Sequence, residues 1–419
     1  MDSNDRSIAR FTMIGHATFH AYELTIPLFV VVWLDVFGVS AAVLGTVVAV
    51  GYALIGIGAV PSGILSDSYG SKTLVTASIL GMGGGFLLVS ASPTITELLS
   101  IADSPSIAVL AIALILWGAA ASVYHPAALS LITRGSERQG TVLAYHGAAG
   151  NVGTALGPFV AAILLTFYDW QLVAALFALP AVVIALLAVR LEFDETAGVD
   201  EEITTDGGGE GQTFREVLAG TKTLFASAFL VVFGIAMLAG IYYRGVFTFL
   251  PDVLADLAVF DPVVIAGESF DPSQYLYAGL LMLGAVGQIV GGKLSDRVNP
   301  ESAIIGAFAA LVAVSLLFVP AAGLGTGAFL VVCAVLGVCV YLYAPILQSL
   351  VGVYAPAEVH GLSFGYVYLG TFGVGAAGAS IAGIALTYGG ASLVFLVLAA
   401  FPAAALSLAA VLLVRARRH

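Results

Sequence analysis

Three titratable side chains lie close together in an otherwise apolar stretch near the start of the chain. The stretch is FTMIGHATFHAYELTIP, residues 11–27, and the side chains belong to His16, His20 and Glu23. On an ideal helix they point in directions of about 0°, 40° and −20°, so they share one face. Two imidazoles and a carboxyl group can exchange protons near neutral pH, and histidines at this spacing can also share a zinc ion.

The sequence around these residues is that of a membrane protein. Of its 419 residues, 60% are hydrophobic and 10% are charged, and the mean hydropathy is +1.05. Soluble domains carry about 25% charged residues. Dividing the chain at polar and Gly/Pro clusters, with about 20 apolar residues per crossing, predicts twelve membrane spans. They cover residues 9–35, 41–64, 73–91, 107–133, 139–167, 171–190, 224–250, 275–294, 302–320, 326–352, 361–387 and 391–414.

Basic residues predict the orientation of these spans. All but one of the 14 lysines and arginines fall in segments on the same side of the membrane as the two termini. Cytoplasmic segments carry the excess of Lys and Arg, so we expect a multi-pass protein of the plasma membrane with both termini in the cytoplasm. The exception is Arg244, which lies inside the seventh span.

The chain divides into two similar halves. The stretch EFDETAGVDEEITTDGGGEGQTFRE at 192–216 is acidic and glycine-rich, which predicts an acidic flexible cytoplasmic linker over 192–222. The linker separates six-helix bundles at 1–191 and 223–419. GILSDSYGSK at 63–72 resembles GGKLSDRVN at 291–299, and YHPAALSL at 124–131 resembles YAPILQSL at 343–350. Such internal repeats are typical of secondary transporters.

With these motifs, the chain resembles the major facilitator superfamily over nearly its whole length. The resemblance implies an all-α fold of twelve transmembrane helices in two pseudo-symmetric six-helix bundles, and a transporter rather than an enzyme. It also implies a gating motif after the second span, with a partial copy after the eighth. The gating residues are Gly63, Asp67, Gly70 and Lys72, with Asp296 and Arg297 in the copy.

A glycine pattern in the fifth span narrows the resemblance. In HGAAGNVGTALGP, residues 146–158, Gly150, Gly153 and Gly157 share a helix face ahead of Pro158, which lets two helix backbones pack closely. The pattern resembles that of exporters that work as proton antiporters. The wider segment 122–158 is similar to the fosmidomycin-resistance-type branch of drug and metabolite exporters. Close packing alone would also account for the glycines.

The repeats suggest a partner for Glu23. Aligning them on Pro27 and Pro251 places Arg244 opposite His20, and aligning AYE with YYR places it opposite Glu23. Ionisable groups inside a membrane are costly and usually serve transport. We therefore expect Glu23 to carry the proton and Arg244 to pair with it or to receive an anionic substrate group. Purely structural roles for both residues remain open.

Further polar side chains of the spans are candidates for a substrate cavity. His125 precedes Pro126, which interrupts the helical hydrogen bonds of the fourth span and exposes polar backbone. We group it with the coupling residues, while His146 lies on the glycine face of the fifth span and is open to either packing or ligand contact. The remaining cavity candidates, each as well suited to the protein core, are Tyr22, Tyr124, Tyr242, Tyr243, Tyr343, Gln348 and Tyr366.

The sequence thus favours export of a small organic molecule by proton antiport. Proton-coupled uptake of a small anionic metabolite is the alternative. A zinc enzyme built on His16 and His20 is the least favoured, because Ala17 stands where the usual glutamate would follow the first histidine. We expect protons as the coupling ion, no metal or other cofactor, a small-molecule substrate, the lipid bilayer as surroundings, no nucleic-acid partner, and a monomer.

Overall fold

The computed structural model describes residues 1–59, 61–62, 65, 69–99, 107–198, 214–257, 259–356 and 359–417. In chain order the first seven helices are α1 (Ser3–Phe37), α2 (Ala41–Ile57), α3 (Ser71–Leu98), α4 (Ile107–Gly135), α5 (Gln139–Phe167), α6 (Trp170–Leu176) and α7 (Leu179–Arg190). The later helices are α8 (Phe214–Ala226), α9 (Phe229–Asp256), α10 (Pro272–Ser295), α11 (Pro300–Ala322), α12 (Thr326–Tyr354), α13 (His360–Tyr368) and α14 (Ala377–Ala416). A π-helix, Leu369–Val374, lies between α13 and α14.

These helices account for the predicted twelve membrane crossings. Within the described residues, 10 helical segments are long and apolar enough to span a bilayer. One of them, Leu362–Ala416, has 55 residues, more than twice the roughly 20 needed for a crossing. It changes direction at Gly390, whose φ of 62° lies outside the helical region. Two crossings therefore come from this segment, and α2 is a shorter apolar helix of 17 residues. The prediction of an all-α polytopic fold is confirmed.

Capping residues, prolines and residues with positive φ mark where several helices begin and where the chain turns between them. Asp271 accepts a hydrogen bond from the Ser273 backbone N–H and precedes Pro272, which suits the first helical turn of α10. Gly38, between α1 and α2, has a φ of 58°, which side chains other than glycine rarely adopt. A hairpin of β1 (Val263–Ile265) and β2 (Glu268–Phe270) joins α9 to α10, and its two turn residues both have positive φ.

Contacts between residues group the chain into two compact units. Unit 1 comprises Met1–Ile26 and Val50–Thr213, and unit 2 comprises Pro27–Ala49 and Phe214–His419. The division passes through α1 between Ile26 and Pro27, so the polar face of α1 belongs to unit 1.

In unit 1, helices α1 and α5 pack with very little space between them. A Cβ atom at Gly153 would collide with the backbone carbonyl of Ala17, and one at Gly157 would collide with the backbone of Ala21. Larger residues at these two positions would push the helices apart. The glycine face therefore determines how closely α5 approaches the helix that carries His16 and Glu23.

Unit 2 has a similar close approach between α9 and the π-helix region. A Cβ atom at Gly240 would collide with the carbonyl of Thr371, and one at Gly378 would collide with the carbonyl of Ile241. The beginning of α2 also packs in this unit, where the Thr387 hydroxyl accepts a hydrogen bond from the Ala42 N–H at 2.9 Å.

The segment Leu191–Gly198, which follows α7, is attached to unit 1 by specific hydrogen bonds. The Glu195 carboxylate accepts bonds from the N–H groups of Ser71 at 2.7 Å and Lys72 at 3.3 Å. It thus caps α3, whose preceding residue Gly70 has no side chain and a φ of 80°. We call Leu191–Gly198 the acidic strap.

The strap also binds the start of α1 and the end of α4. The Asn4 amide donates to the carbonyls of Gly135 at 2.8 Å and Asp194 at 3.0 Å, and Asn4 accepts from the Asp194 N–H at 2.8 Å. Hydrogen bonds from the Thr196 N–H and hydroxyl hold the pKa of the Asp194 carboxyl below its ordinary value. The first residues of the predicted linker therefore bind unit 1, while 199–213 lie outside the described residues.

Candidate functional site

The three titratable residues of α1 form a continuous hydrogen-bonded series. Residues four and seven positions apart lie on one helix face, so the three side chains can meet. His20 Nδ1 lies 2.8 Å from Glu23 Oε2, and His20 Nε2 lies 3.0 Å from His16 Nε2. Glu23 is 2% exposed and His16 is 8% exposed. The three side chains of the predicted face are therefore hydrogen-bonded in series, with the half-buried His20 between the buried Glu23 and His16.

The series continues into α5. His16 Nδ1 donates to the backbone carbonyl of His146 at 2.7 Å, and the two imidazole rings stack with centroids 3.8 Å apart. A Cβ atom at Gly150 would lie 2.5 Å from the His16 ring. The first glycine of the α5 face thus makes room for the His16 side chain as well as for close helix packing.

Helix α4 places two further side chains, His125 and Tyr124, next to the residues of α1. The His125 ring lies edge-on to His16 with centroids 5.2 Å apart, and it is 5.7 Å from His20. The neighbouring Tyr124 hydroxyl donates to the backbone carbonyl of Thr12 at 2.9 Å. We call Glu23, His16, His20, His125 and His146 the histidine cluster.

The hydrogen-bonded series needs one proton more than neutral imidazoles and an ionised carboxylate provide. His16 Nδ1 must carry hydrogen because a carbonyl only accepts, so in neutral His16 the Nε2 atom has a lone pair. If Glu23 is ionised, His20 Nδ1 must also carry hydrogen, which leaves a lone pair on His20 Nε2. Two lone pairs would then face each other across 3.0 Å. One additional proton, on the Glu23 carboxyl group or between the imidazoles, completes all three hydrogen bonds.

The same imidazoles are the residues that could hold a metal ion. Within the described residues, His16, His20 and His125 are the only group of three or more His, Cys, Asp or Glu whose donor atoms converge, all within 4.8 Å of one another. Two nitrogens on a tetrahedral zinc ion lie about 3.3 Å apart. The 3.0 Å between His16 and His20 is shorter and suits a hydrogen bond, so metal binding would require the rings to separate slightly.

Arg244 occupies a different environment in unit 2. Its side chain is 3% exposed, and its guanidinium carbon lies 5.6 Å from the ring centroids of both Tyr243 and Phe372. The Tyr243 hydroxyl is 3.0 Å from that of Tyr341. Arg244 is thus a permanent positive charge among aromatic rings. A contact between Arg244 and Glu23, which belong to different units, remains a prediction.

Comparison with known proteins identifies the family. The model of the Major Facilitator Superfamily matches residues 12–379. The chain belongs to the major facilitator superfamily. No curated protein sequence matches it.

Solved structures of transporters share this superfamily fold. The nucleoside transporter NupG is 13% identical with a TM-score of 0.74, and the alignment covers 97% of this chain and 99% of that one. A D-xylose–proton symporter is 14% identical with a TM-score of 0.71 and 97% coverage of both chains. The peptide transporter POT in complex with sulfate is 14% identical with a TM-score of 0.70, covering 98% of this chain and 94% of that one. At such identities the likeness shows the fold, which is the one predicted. The family match indicates a transporter rather than an enzyme.

The superfamily gating motif is only partly visible in the structure. Gly63 and Asp67 lie outside the described residues. Lys72 donates to the carbonyl of Leu191 at 2.8 Å, within the acidic strap. In the partial copy, Asp296 and Arg297 are exposed at the end of α10.

The other predicted cavity residues are dispersed. Tyr22 packs against Phe86 with ring centroids 5.1 Å apart, and the Tyr242 hydroxyl lies 2.7 Å from Ser315 Oγ. Both tyrosines are fully buried. Tyr343 is buried and stacks on Phe308, whereas the Tyr366 hydroxyl bonds Thr221 and Gln348 is exposed. Tyr124 is the member of this set whose ring stacks on the histidine cluster, against His16 and His146.

Sequence reasoning missed two residues that support this superfamily member's polar sites. Tyr52 of α2 donates from its hydroxyl to the backbone carbonyl of Glu23 at 2.9 Å, and Glu195 caps α3. Pro27 gives a signal for the first, because a proline leaves the carbonyl four residues earlier without its helical donor. The partner that fills the gap comes from another helix and has no signal in the sequence.

Proposed function

We propose that this superfamily member exports a small organic molecule in exchange for protons. It would do so by alternating access, as a multi-pass monomer of the plasma membrane with both termini in the cytoplasm. Its sequence likeness to the fosmidomycin-resistance-type branch supports a drug or metabolite as the cargo. No metal or other cofactor is required in this scheme, since the proton is the coupling ion.

The observation that carries the proposal is the incomplete proton count of the histidine cluster. With one extra proton, the Glu23–His20–His16 series is fully bonded and has a net charge of zero. After the proton leaves, Glu23 and His20 keep their bond, His16 and His20 face each other with lone pairs, and the net charge is −1. A cluster that differs in both bonding and charge can respond to substrate binding and to access from either side of the membrane.

The direction of transport rests on the glycine face of α5. This face resembles that of proton-antiporting exporters, and it packs directly behind the α1 residues that hold the proton. Proton and substrate would then bind in alternation, one in each half of the conformational cycle. Release of the proton to the inside would favour the substrate-loading state, and proton binding from the outside would favour substrate release.

Proteoliposomes test this proposal. A thermal-shift screen of small organic compounds with purified protein supplies the substrate, and flux is measured with and without an imposed pH gradient. We expect gradient-driven accumulation in the wild type. In Glu23→Gln we expect exchange of labelled for unlabelled substrate to persist while accumulation is lost, because the Gln amide donates to His20 Nδ1 and completes the series without an extra proton.

Exposed Glu192 of the acidic strap provides the matched control. Glu192→Gln removes one carboxylate outside the cluster and should accumulate substrate like the wild type. Accumulation by Glu23→Gln at the wild-type level, or flux in the wild type that ignores the gradient, would contradict proton antiport through this cluster.

Symport of a small anionic metabolite is the second candidate, and the environment of Arg244 favours it. A buried guanidinium among aromatic rings can bind a carboxylate through two parallel hydrogen bonds. The two candidate functions predict opposite directions of substrate movement under the same proton gradient. An outward-directed proton gradient would drive symported substrate out with the protons, whereas it would draw an antiported substrate in.

A further inference from the structure

Helix α1 has a gap in its hydrogen bonding at the position of Glu23. In an α-helix each N–H bonds the carbonyl four residues earlier. Pro27, inside α1, has no N–H. The carbonyl of Glu23 therefore has no helical donor, and this gap lies within the residue that we assign to the proton.

A side chain from another helix fills this gap. The Tyr52 hydroxyl of α2 donates to the Glu23 carbonyl at 2.9 Å. Tyr52 is 2% exposed, and its ring meets Trp117 of α4 edge-on with centroids 5.8 Å apart. Packing of the Tyr52 ring of α2 against α4 thus holds the hydroxyl in place. Both Tyr52 and Glu23 lie in unit 1.

The gap also lies next to a boundary in the contact pattern of α1. Residues up to Ile26 belong to unit 1, and residues from Pro27 onward belong to unit 2. The bond from Tyr52 is made to the last full turn before this boundary. It fixes the Glu23 peptide to unit 1 at a point where the helix itself makes one bond fewer.

We propose that Tyr52 is a positioning residue for the proton site. This role of Tyr52 rests on the function proposed above. By holding the Glu23 peptide, it keeps the carboxyl group 2.8 Å from His20 Nδ1. The other titratable groups of the cluster are His16 on α1, His125 on α4 and His146 on α5. Loss of the Tyr52 hydroxyl would loosen Glu23 relative to these groups and change the pH at which the extra proton is bound.

The primary test is Tyr52→Phe, which removes one oxygen atom and keeps the ring. In proteoliposomes we expect gradient-driven accumulation to fall by about tenfold, because small displacements of reacting groups have large effects on proton transfer. We also expect a shifted pH midpoint and substrate exchange near the wild-type rate. An unchanged pH midpoint would overturn the proposal. Exposed Tyr145 provides the control, and Tyr145→Phe should behave like the wild type.

A rescue experiment separates positioning from general damage. Pro27→Ala restores an N–H at residue 27 and so gives the Glu23 carbonyl its helical donor. The double variant Tyr52→Phe/Pro27→Ala should therefore have the same pH midpoint of transport as Pro27→Ala alone, although Tyr52→Phe shifts that midpoint in the wild-type background. Failure of the double variant to recover would overturn the role of the carbonyl bond.

Thermal unfolding tests the Tyr52–Glu23 hydrogen bond without reference to protons. The proteins compared are the wild type, Tyr52→Phe, Pro27→Ala and the double variant. We expect Tyr52→Phe to lower the melting temperature in the wild-type background and to have a much smaller effect in the Pro27→Ala background. Equal effects in both backgrounds would refute the bond. If this non-additivity is observed while no variant shows proton coupling, the proposed function fails and the structural role of Tyr52 stands.

Discussion

The polar segments of α1 and α9 are counterparts in the two halves, and they differ in chemistry. In α1, imidazoles and a carboxyl group bond one another ahead of Pro27. In α9, Arg244 lies among aromatic rings ahead of Pro251. Both helices pack tightly against glycines of their own unit. The backbone arrangement is thus similar, while the side chains are titratable in one helix and permanently charged in the other.

This difference suggests a division of labour between repeats. A site that gains and loses a proton needs groups that titrate near neutral pH, which imidazole and buried carboxyl groups can do. A fixed positive charge needs arginine, which stays protonated at all physiological pH values. The α1 segment is therefore suited to coupling and the α9 segment to holding an anionic group. The following substitutions test that distinction.

The largest effect should come from separating α1 from α5. In Gly153→Leu the side chain would occupy the position of the Ala17 backbone, so we expect destabilisation of about 3 kcal/mol or more. The measurement is the yield of monodisperse protein and its melting temperature. Gly147 of α5 has open space at its Cβ position, and Gly147→Leu is the control. Equal stability of the two variants would refute the close packing behind the histidine cluster.

A smaller effect should come from neutralising the charge of α9. Arg244→Gln should weaken substrate binding by about tenfold, the size of a charge-assisted hydrogen bond, and leave the pH midpoint of transport unchanged. Arg244→Lys should retain part of the affinity because it keeps the charge but loses the two-pronged geometry. Concentration dependence of flux at several pH values measures both quantities. A shifted pH midpoint in Arg244→Gln would remove the distinction between the two helices.

The smallest effect concerns the acidic strap, which only unit 1 has among the described residues. Glu195→Gln should weaken the cap on α3 by about 1 kcal/mol, which corresponds to a melting temperature lower by about 2 °C. Amide exchange at Ser71 and Lys72 should become faster. Glu192→Gln again serves as the control. Unchanged exchange at both amides would show that the carboxylate does not cap α3.

Hydrophobicity and periodicity predict the fold and one face of the site. Runs of apolar residues locate the helices, and helical spacing brings His16, His20 and Glu23 together. The glycine pair at 389–390 separates the predicted spans 361–387 and 391–414, and the structure changes direction there, at Gly390, whose φ is positive. Composition also predicts a flexible linker from residue 192, whereas Glu195 and Asp194 find partners 124 and 190 residues away in sequence.

The contacts between helices are the part of the site that no local pattern contains. His125 and His146 reach His16 because α4 and α5 pack on α1, and the stacking of His146 depends on the space left by Gly150. Tyr52 illustrates the same limit, because Pro27 predicts an open carbonyl at Glu23 but not the helix that fills it. The sequence indicates which groups need partners, and tertiary packing decides which partners they have.

The central claim is that the Glu23–His20–His16 series holds one removable proton. Solid-state NMR of protein with ¹⁵N-labelled histidine in lipid bilayers measures it directly, with His20 assigned by its loss in His20→Gln. We expect His20 Nε2 to carry hydrogen at low pH and to lose it at high pH, and in Glu23→Gln to keep this hydrogen throughout. A wild-type His20 Nε2 signal that does not change with pH would contradict the account.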